Sequence, residues 1–236
     1  MKIARLARST RLARSARLAV ALLGIAFVSA GAAPNWNITV AQTEGGGHRL
    51  GNPAAKVKLM EFVSYTCPHC AHFETEAADP LRVGYIAQGK VSVEVRHIIR
   101  DPVDLTAVML AECGPKEKFF LNHSTLLRNQ GTWLKKMSNL SEAQRNRWVA
   151  SNYAARRRAI AKDLGFYDLM ARRGYDQLAV DKCLADENFA RQLAEQSETS
   201  AREFGVEGTP SFALNGTLLA GTHSWDVLKP QIDAHF

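Results

Sequence analysis

Cysteine is scarce in this chain, four among 236 residues, and only one pair is closely spaced. A zinc site built on that pair needs two further ligands at matching spacing, whereas Cys113 and Cys183 stand apart and His72 would share a helix with Cys70. Phosphate-cradling glycine loops and serine-nucleophile motifs are absent, so phosphoryl transfer and serine hydrolysis have no sequence basis. The first 32 residues carry no acidic side chain, and their apolar run, Leu18 to Val28, falls short of the ~20 residues that span a bilayer. An uncleaved membrane anchor is thereby disfavoured.

What those residues do contain is the pattern of an export signal. Lys2, Arg5, Arg8, Arg11, Arg14 and Arg17 precede the apolar core, and Ala30-Gly31-Ala32 follows it with the small side chains of a cleavage site. Residues 1–32 are therefore expected to be removed after Ala32. The whole sequence has 30 Lys and Arg against 23 Asp and Glu, but six of the basic residues lie in the signal, which leaves 24 against 23. At a net +1 the exported chain has no electrostatic case for nucleic acid. Export also takes it to a compartment where disulfides persist.

The close pair is Cys67-Pro68-His69-Cys70. Val57 to Val63 before it is a short apolar run of strand type, and the residues after it read as helix. Pro68 suits the first helical position, where a missing N–H costs nothing, which makes Cys67 the N-cap. A dithiol at a helix N-terminus is a chemical proposition, because the thiolate is the nucleophile and that position lowers the thiol pKa. Helix-end electrostatics supply roughly 0.3–1 kcal/mol, up to about 2 when partly buried, against about 1.36 kcal/mol per pKa unit. Further donors are needed, and the backbone N–H groups of His69 and Cys70 and the His69 ring are the expected ones. Stabilising the thiolate stabilises the reduced pair and makes the disulfide a stronger oxidant. Cys67 is expected to attack and Cys70 to resolve.

Along the rest of the chain, Ala33 to Gly47 reads as an N-terminal tail ending in a flexible Gly45-Gly46-Gly47 link, and Gly51-Asn52-Pro53 as a turn into the first strand. Pro80 should kink or end the active-site helix. Val91, Val93 and Val95 alternate with polar residues in a second strand, completing a parallel β-α-β unit. Helical patterns then take over for about a hundred residues. Val103 to Cys113 and Lys116 to Arg128 are two helices split by Gly114-Pro115. Ser141 and Gln144 form a capping box for a long basic helix towards Gly165 carrying Arg156-Arg157-Arg158, read as a solvated face. Asp186 caps a last helix to Phe204, with Gly205 as its stop. Sheet character resumes at Ser211 to Leu214 and Thr217 to Ala220, joined by the hairpin signal Asn215-Gly216. Ser224 starts a terminal helix that Pro230 should bend.

The run Glu61-Phe62-x-Ser64-x-x-Cys67-Pro68-His69-Cys70-x-x-Phe73-Glu74 resembles the active-site segment of DsbA-like oxidants of the thioredoxin superfamily. The resemblance extends from about His48 to the C-terminus and has a second sharp point at Thr209-Pro210. It implies an α/β thioredoxin fold, a mixed central sheet flanked by helices with an inserted all-helical domain. The expected divisions are a signal peptide at 1–32, a tail at 33–47, the first part of the thioredoxin domain at 48–102, the helical insertion at 103–204 and the second part at 205–236. It also implies that Pro210 is cis, opposite the dithiol, with the Thr209 backbone offered to a substrate strand. Glu61, acidic within an apolar strand, is implied as a proton relay for Cys70; a strand-end carboxylate reaching water is the alternative. No cofactor beyond the Cys67-Cys70 disulfide is implied and no metal.

Cys113 and Cys183 most simply form a structural disulfide in an exported protein, worth about 4 kcal/mol by loop entropy; two buried free thiols are the alternative. His72 and Glu74 read as helix positions facing solvent, and His97, His123 and His223 show no ligand or triad spacing. The expected activity is oxidation of thiols in unfolded exported polypeptides in the periplasm, by a monomer that a DsbB-like, quinone-linked membrane partner reoxidises. Two rivals remain. One is a disulfide isomerase or reductase of the same superfamily, for which Ala33 to Ala55 is too short to supply a dimerisation domain. The other is a non-enzymatic metal-binding or chaperone module.

Overall fold

The computed structural model describes residues 34–236; the expected export signal lies outside the described residues. Six strands form one mixed sheet in the order β1-β2-β4-β3-β5-β6: β1 Val40–Gln42, β2 His48–Gly51, β3 Val57–Val63, β4 Val91–His97, β5 Ser211–Leu214 and β6 Thr217–Leu218. Only β3 and β4 run parallel, from Val57 opposite Val91 to Val63 opposite His97, as a strand-helix-strand unit requires. Antiparallel β5 flanks β3 on its other side, with Phe62 opposite Ser211. Central position explains the composition of β3, in which Val57, Leu59, Phe62 and Val63 are buried on both faces.

Residues expected as a tail turn out to extend the sheet. Val40 to Gln42 pairs antiparallel with His48 to Leu50, and Gly45-Gly46-Gly47 is the packed turn between them rather than a flexible link. The Thr43 N–H donates to Gly47 O at 2.9 Å. A Cβ on Gly47 would lie 2.7 Å from the Val95 carbonyl oxygen, and Gly46 has φ +79° with its open side against Gln196. Glycine is needed there for close approach, which composition alone cannot separate from flexibility.

Helix α1, Pro68–Leu81, has Cys67 as N-cap and Pro68 in its first turn. Pro80 does not stop it at once: the helix reaches Leu81 and widens into a five-residue turn, Arg82–Ile86, where Ala87 N–H donates back to Arg82 O. Between β4 and β5 the chain forms α2 Pro102–Ala111, α3 Phe119–Arg128, α4 Gln130–Met137, α5 Glu142–Trp148, α6 Tyr153–Leu164, α7 Phe166–Arg172, α8 Gln177–Ala185 and α9 Glu187–Phe204, and α10 Trp225–Asp233 closes it. The single long basic helix expected from Ser141 is two helices. Ser141 and Gln144 do form the capping box of α5, but Asn152 starts α6 anew by accepting from Ala155 N–H. Arg157 is not on a solvated face either. It is buried and donates to Leu184 O at 2.7 Å and Glu187 Oε1 at 2.6 Å, tying α6 to the α8–α9 junction.

Cys113 and Cys183 are joined, with Cα atoms 5.8 Å apart, linking the end of α2 to α8. The hairpin at Asn215-Gly216 has φ +50° and +87°, as its sequence predicts. Strand β6 is shorter than expected, ending at Leu218.

Candidate active site

The end of β3 delivers Ser64-Tyr65-Thr66 to the start of α1, and buried side chains from the helical segment fix that loop. Asp104 on α2 accepts from Ser64 Oγ at 2.6 Å, from Tyr65 N–H at 2.8 Å and from Arg100 N–H at 3.1 Å. Burial outweighs these bonds and raises the Asp104 carboxyl to about 6. Gln130, at the first position of α4, donates to Tyr65 O at 2.6 Å and Cys67 O at 2.8 Å. Asp101 caps α2 and accepts from Thr66 Oγ1 at 3.1 Å. The contacts that hold the dithiol loop have no signature in the sequence, since Asp104 lies 39 residues from Tyr65 and Gln130 lies 63 residues from Cys67.

Cys67 and Cys70 are free thiols, both buried. The Cys67 thiol is lowered to about 4, chiefly by hydrogen bonding from Cys70; burial works against this, and the Thr209 side chain and the backbone N–H groups of Cys70 and His69 reinforce it. The Cys70 thiol moves far the other way, first because it is desolvated, then because it donates to Cys67 and faces its charge. The two thiols are thereby pushed apart, Cys67 towards the thiolate and Cys70 towards the protonated thiol. The two backbone donors are those expected, and the His69 ring is exposed.

Opposite the dithiol, Thr209-Pro210 is a cis peptide. As a thiol, Cys67 donates to Thr209 O at 3.0 Å. A thiolate cannot donate, and the buried Thr209 hydroxyl, otherwise without a partner, is the group positioned to replace that bond.

Glu61 sits in the middle of β3 at 5 % exposure, and its Oε1 has no partner. It does not reach water as a strand-end carboxylate. Burial, and then the charge of Glu74, raises it to about 8. Its carboxyl borders a cavity of about 40 Å³ shared with Phe73, Glu74, Leu81 and His123. Glu74, expected to be solvated, is buried and raised by that burial, although Arg128 Nε donates to it at 3.3 Å. His72 does face solvent, paired with Glu76.

His123 and His97 are structural in the sense expected, each holding a buried partner. His123 Nδ1 meets Tyr65 Oη at 2.9 Å, and burial lowers the ring to about 3. Burial works to raise Glu112, but donation from His48 and His97 outweighs it and brings the carboxyl to about 2. Among the described residues no group of three or more His, Cys, Asp or Glu is arranged to hold a metal ion.

Comparison with known proteins agrees with this geometry. A family model described as Thioredoxin matches residues 43–234. A crystal structure named as a protein-disulfide isomerase from Novosphingobium aromaticivorans is 49 % identical, with TM-score 0.76, covering 80 % of this chain and 96 % of that one. Wolbachia pipientis alpha-DsbA1 shares the fold at 20 % identity and TM-score 0.63, over 80 % of this chain and 89 % of its own. A provisionally named protein-disulfide oxidoreductase of Rickettsia bellii is 29 % identical over 71 % of this chain; another from Rickettsia conorii is 29 % identical over 78 %. The chain spans 56 % and 58 % of the lengths of those two relatives.

Proposed function

The chain belongs to the thioredoxin family, and from that premise we propose that it is a DsbA-like, exported thiol:disulfide oxidoreductase that introduces disulfides into unfolded polypeptides. The observation that carries this is the split within the dithiol, with the Cys67 thiol lowered to about 4 and the Cys70 thiol pushed up. A dithiol whose thiolate is so stable gives up electrons reluctantly, so its disulfide accepts them readily.

In the proposed cycle a substrate thiolate attacks Cys67 Sγ of the oxidised pair. The Cys67–Cys70 bond breaks, a substrate–Cys67 disulfide forms, and Cys70 leaves and takes up a proton. Glu61, which keeps its own proton up to about pH 8, supplies it from beneath. A second substrate thiolate then attacks the substrate sulfur of the mixed disulfide. The substrate disulfide closes and Cys67 departs as a thiolate, two electrons having passed to the enzyme. The Thr209 backbone beside the cis-proline is the edge on which the substrate strand lies. Reoxidation by a quinone-linked, DsbB-like membrane protein completes the cycle, and the periplasm is the proposed compartment, with the chain acting as a monomer. The proposed divisions are a thioredoxin domain in two parts, 48–102 and 205–236, around a helical insertion at 103–204, with the first part carried back to Val40 by strand β1.

A second reading has one observation in its favour, the isomerase name of the 49 % identical relative. An isomerase uses the same Cys67 thiolate to attack a wrong disulfide and must rest reduced. Equilibrating the protein with a glutathione series, and trapping Cys67 and Cys70 separately from Cys113 and Cys183, tests the proposal. The pair should remain reduced in moderately oxidising buffer. A pair that stays oxidised until the buffer is strongly reducing makes a reductase of it, and faster repair of a scrambled substrate than oxidation of a reduced one makes an isomerase of it.

A further inference from the structure

Three consecutive carbonyl oxygens around the cis-proline each accept a hydrogen bond from a side chain on a different element. Ser211 Oγ, at the start of β5, donates to Gly208 O at 2.8 Å. Cys67 Sγ, at the head of α1, donates to Thr209 O at 3.0 Å. His223 Nδ1, in the segment leading to α10, lies 2.7 Å from Pro210 O. A carbonyl only accepts, so Nδ1 of His223 carries the proton.

The middle bond alone depends on the redox state of the dithiol. A Cys67 thiol can donate, whereas a Cys67 thiolate or a disulfide sulfur cannot. In the oxidised protein, the form that meets a reduced substrate, Thr209 O therefore loses its donor and becomes available to a substrate N–H. Alignment of the loop then rests on its two flanks. Ser211 acts within its own turn, but His223 reaches across from a separate element that is itself pinned. The neighbouring Thr222 is buried, its N–H donates to Leu219 O at 3.3 Å, and its Oγ1 accepts from Gln231 Nε2 on α10 at 2.9 Å. The imidazole is exposed, so core packing does not demand it.

We propose that His223 is a positioning residue for substrate capture: it holds the Pro210 carbonyl so that the Thr209 edge stays aligned with Cys67 when Cys67 no longer holds Thr209 O. The inference rests on the reading of Thr209 as the substrate edge. Two substitutions test it. His223→Phe keeps a ring and removes the donor, and His223→Asn restores a donor near the Nδ1 position. Oxidation of a peptide with two cysteines and of dithiothreitol, which is too small to use a backbone edge, is followed for each oxidised protein.

For His223→Phe the KM for the peptide should rise roughly three- to tenfold, the loss of one hydrogen bond, with kcat and the dithiothreitol rate within about twofold of the parent. His223→Asn should recover most of the loss. An unchanged peptide KM in His223→Phe, an equal slowing with peptide and dithiothreitol, or an Asn variant as impaired as the Phe variant would each overturn the proposal. A parent protein that oxidises dithiothreitol but not the peptide would sink the substrate-edge reading itself, and the role of His223 with it.

Discussion

At the residue scale, the chemistry rests on how differently three titratable side chains are solvated within the first turn of α1 and the strand beneath it. Cys67 has donors and Cys70 has burial, so ionisation of the reduced protein, followed by thiolate ultraviolet absorbance, should show a midpoint near 4. Cys70→Ala removes the largest contributor and should move that midpoint upward. Thr209→Val removes a donor that only the anion uses, for a rise of up to about one unit, as one hydrogen bond is worth about 0.5–1.5 kcal/mol. The lowered Cys67 value also has a stability consequence with a definite sign. Between about 4 and the ordinary thiol value of 9.0 the unfolded chain binds a proton that the folded chain does not, so the reduced protein gains stability as pH rises through that window and loses it as pH falls towards 4. The oxidised protein has no such titration. Denaturant midpoints of the reduced form should therefore rise relative to the oxidised form from pH 4 to 9, and a constant gap would contradict the assignment. Glu61 has the opposite sign. Its folded value is raised from 4.5 to about 8, so it costs stability progressively as pH rises between those values. Glu61→Gln should thus gain on the parent as pH rises towards 8, while slowing the step in which Cys70 leaves.

At the scale of elements, the dithiol loop depends on helices that contribute no reacting atom. Gln130 satisfies two carbonyls, one of them belonging to Cys67, from the first turn of α4. Replacement by leucine leaves both buried and unpaired, at about 1–3 kcal/mol each, so Gln130→Leu should lower unfolding free energy by at least about 2 kcal/mol and displace the Cys67 titration. A variant that titrates and unfolds like the parent would contradict that role. The start of α1 was readable from Cys67-Pro68, and the hairpin from Asn215-Gly216, because each is decided by backbone preferences within a few residues. The break between α5 and α6 was not. Ser141 and Asn152 are both good caps, and composition between them does not say whether one helix or two will form.

For the whole molecule, the helical segment is stapled by Cys113–Cys183, which closes a separation of 70 residues far along the chain from the dithiol. Replacing both cysteines by alanine should lower stability by about 2–4 kcal/mol and leave the Cys67–Cys70 glutathione equilibrium unchanged; a shift in that equilibrium would mean that the staple also shapes the site. The sequence by itself determined the place of Cys67-Pro68-His69-Cys70 at a helix N-terminus and the strand-helix-strand unit, because those follow from local spacing and from residues with few backbone options, while the cis Thr209-Pro210 loop was implied by the resemblance to DsbA-like oxidants. Tertiary structure alone decided the rest. It placed Glu61 and Glu74 beside one small cavity away from water, brought Asp104 and Gln130 under the dithiol loop, drew Val40 to Gln42 into the sheet, and set His223 on the Pro210 carbonyl. Desolvation and hydrogen bonding between distant segments depend on which surfaces meet, and no local pattern encodes that.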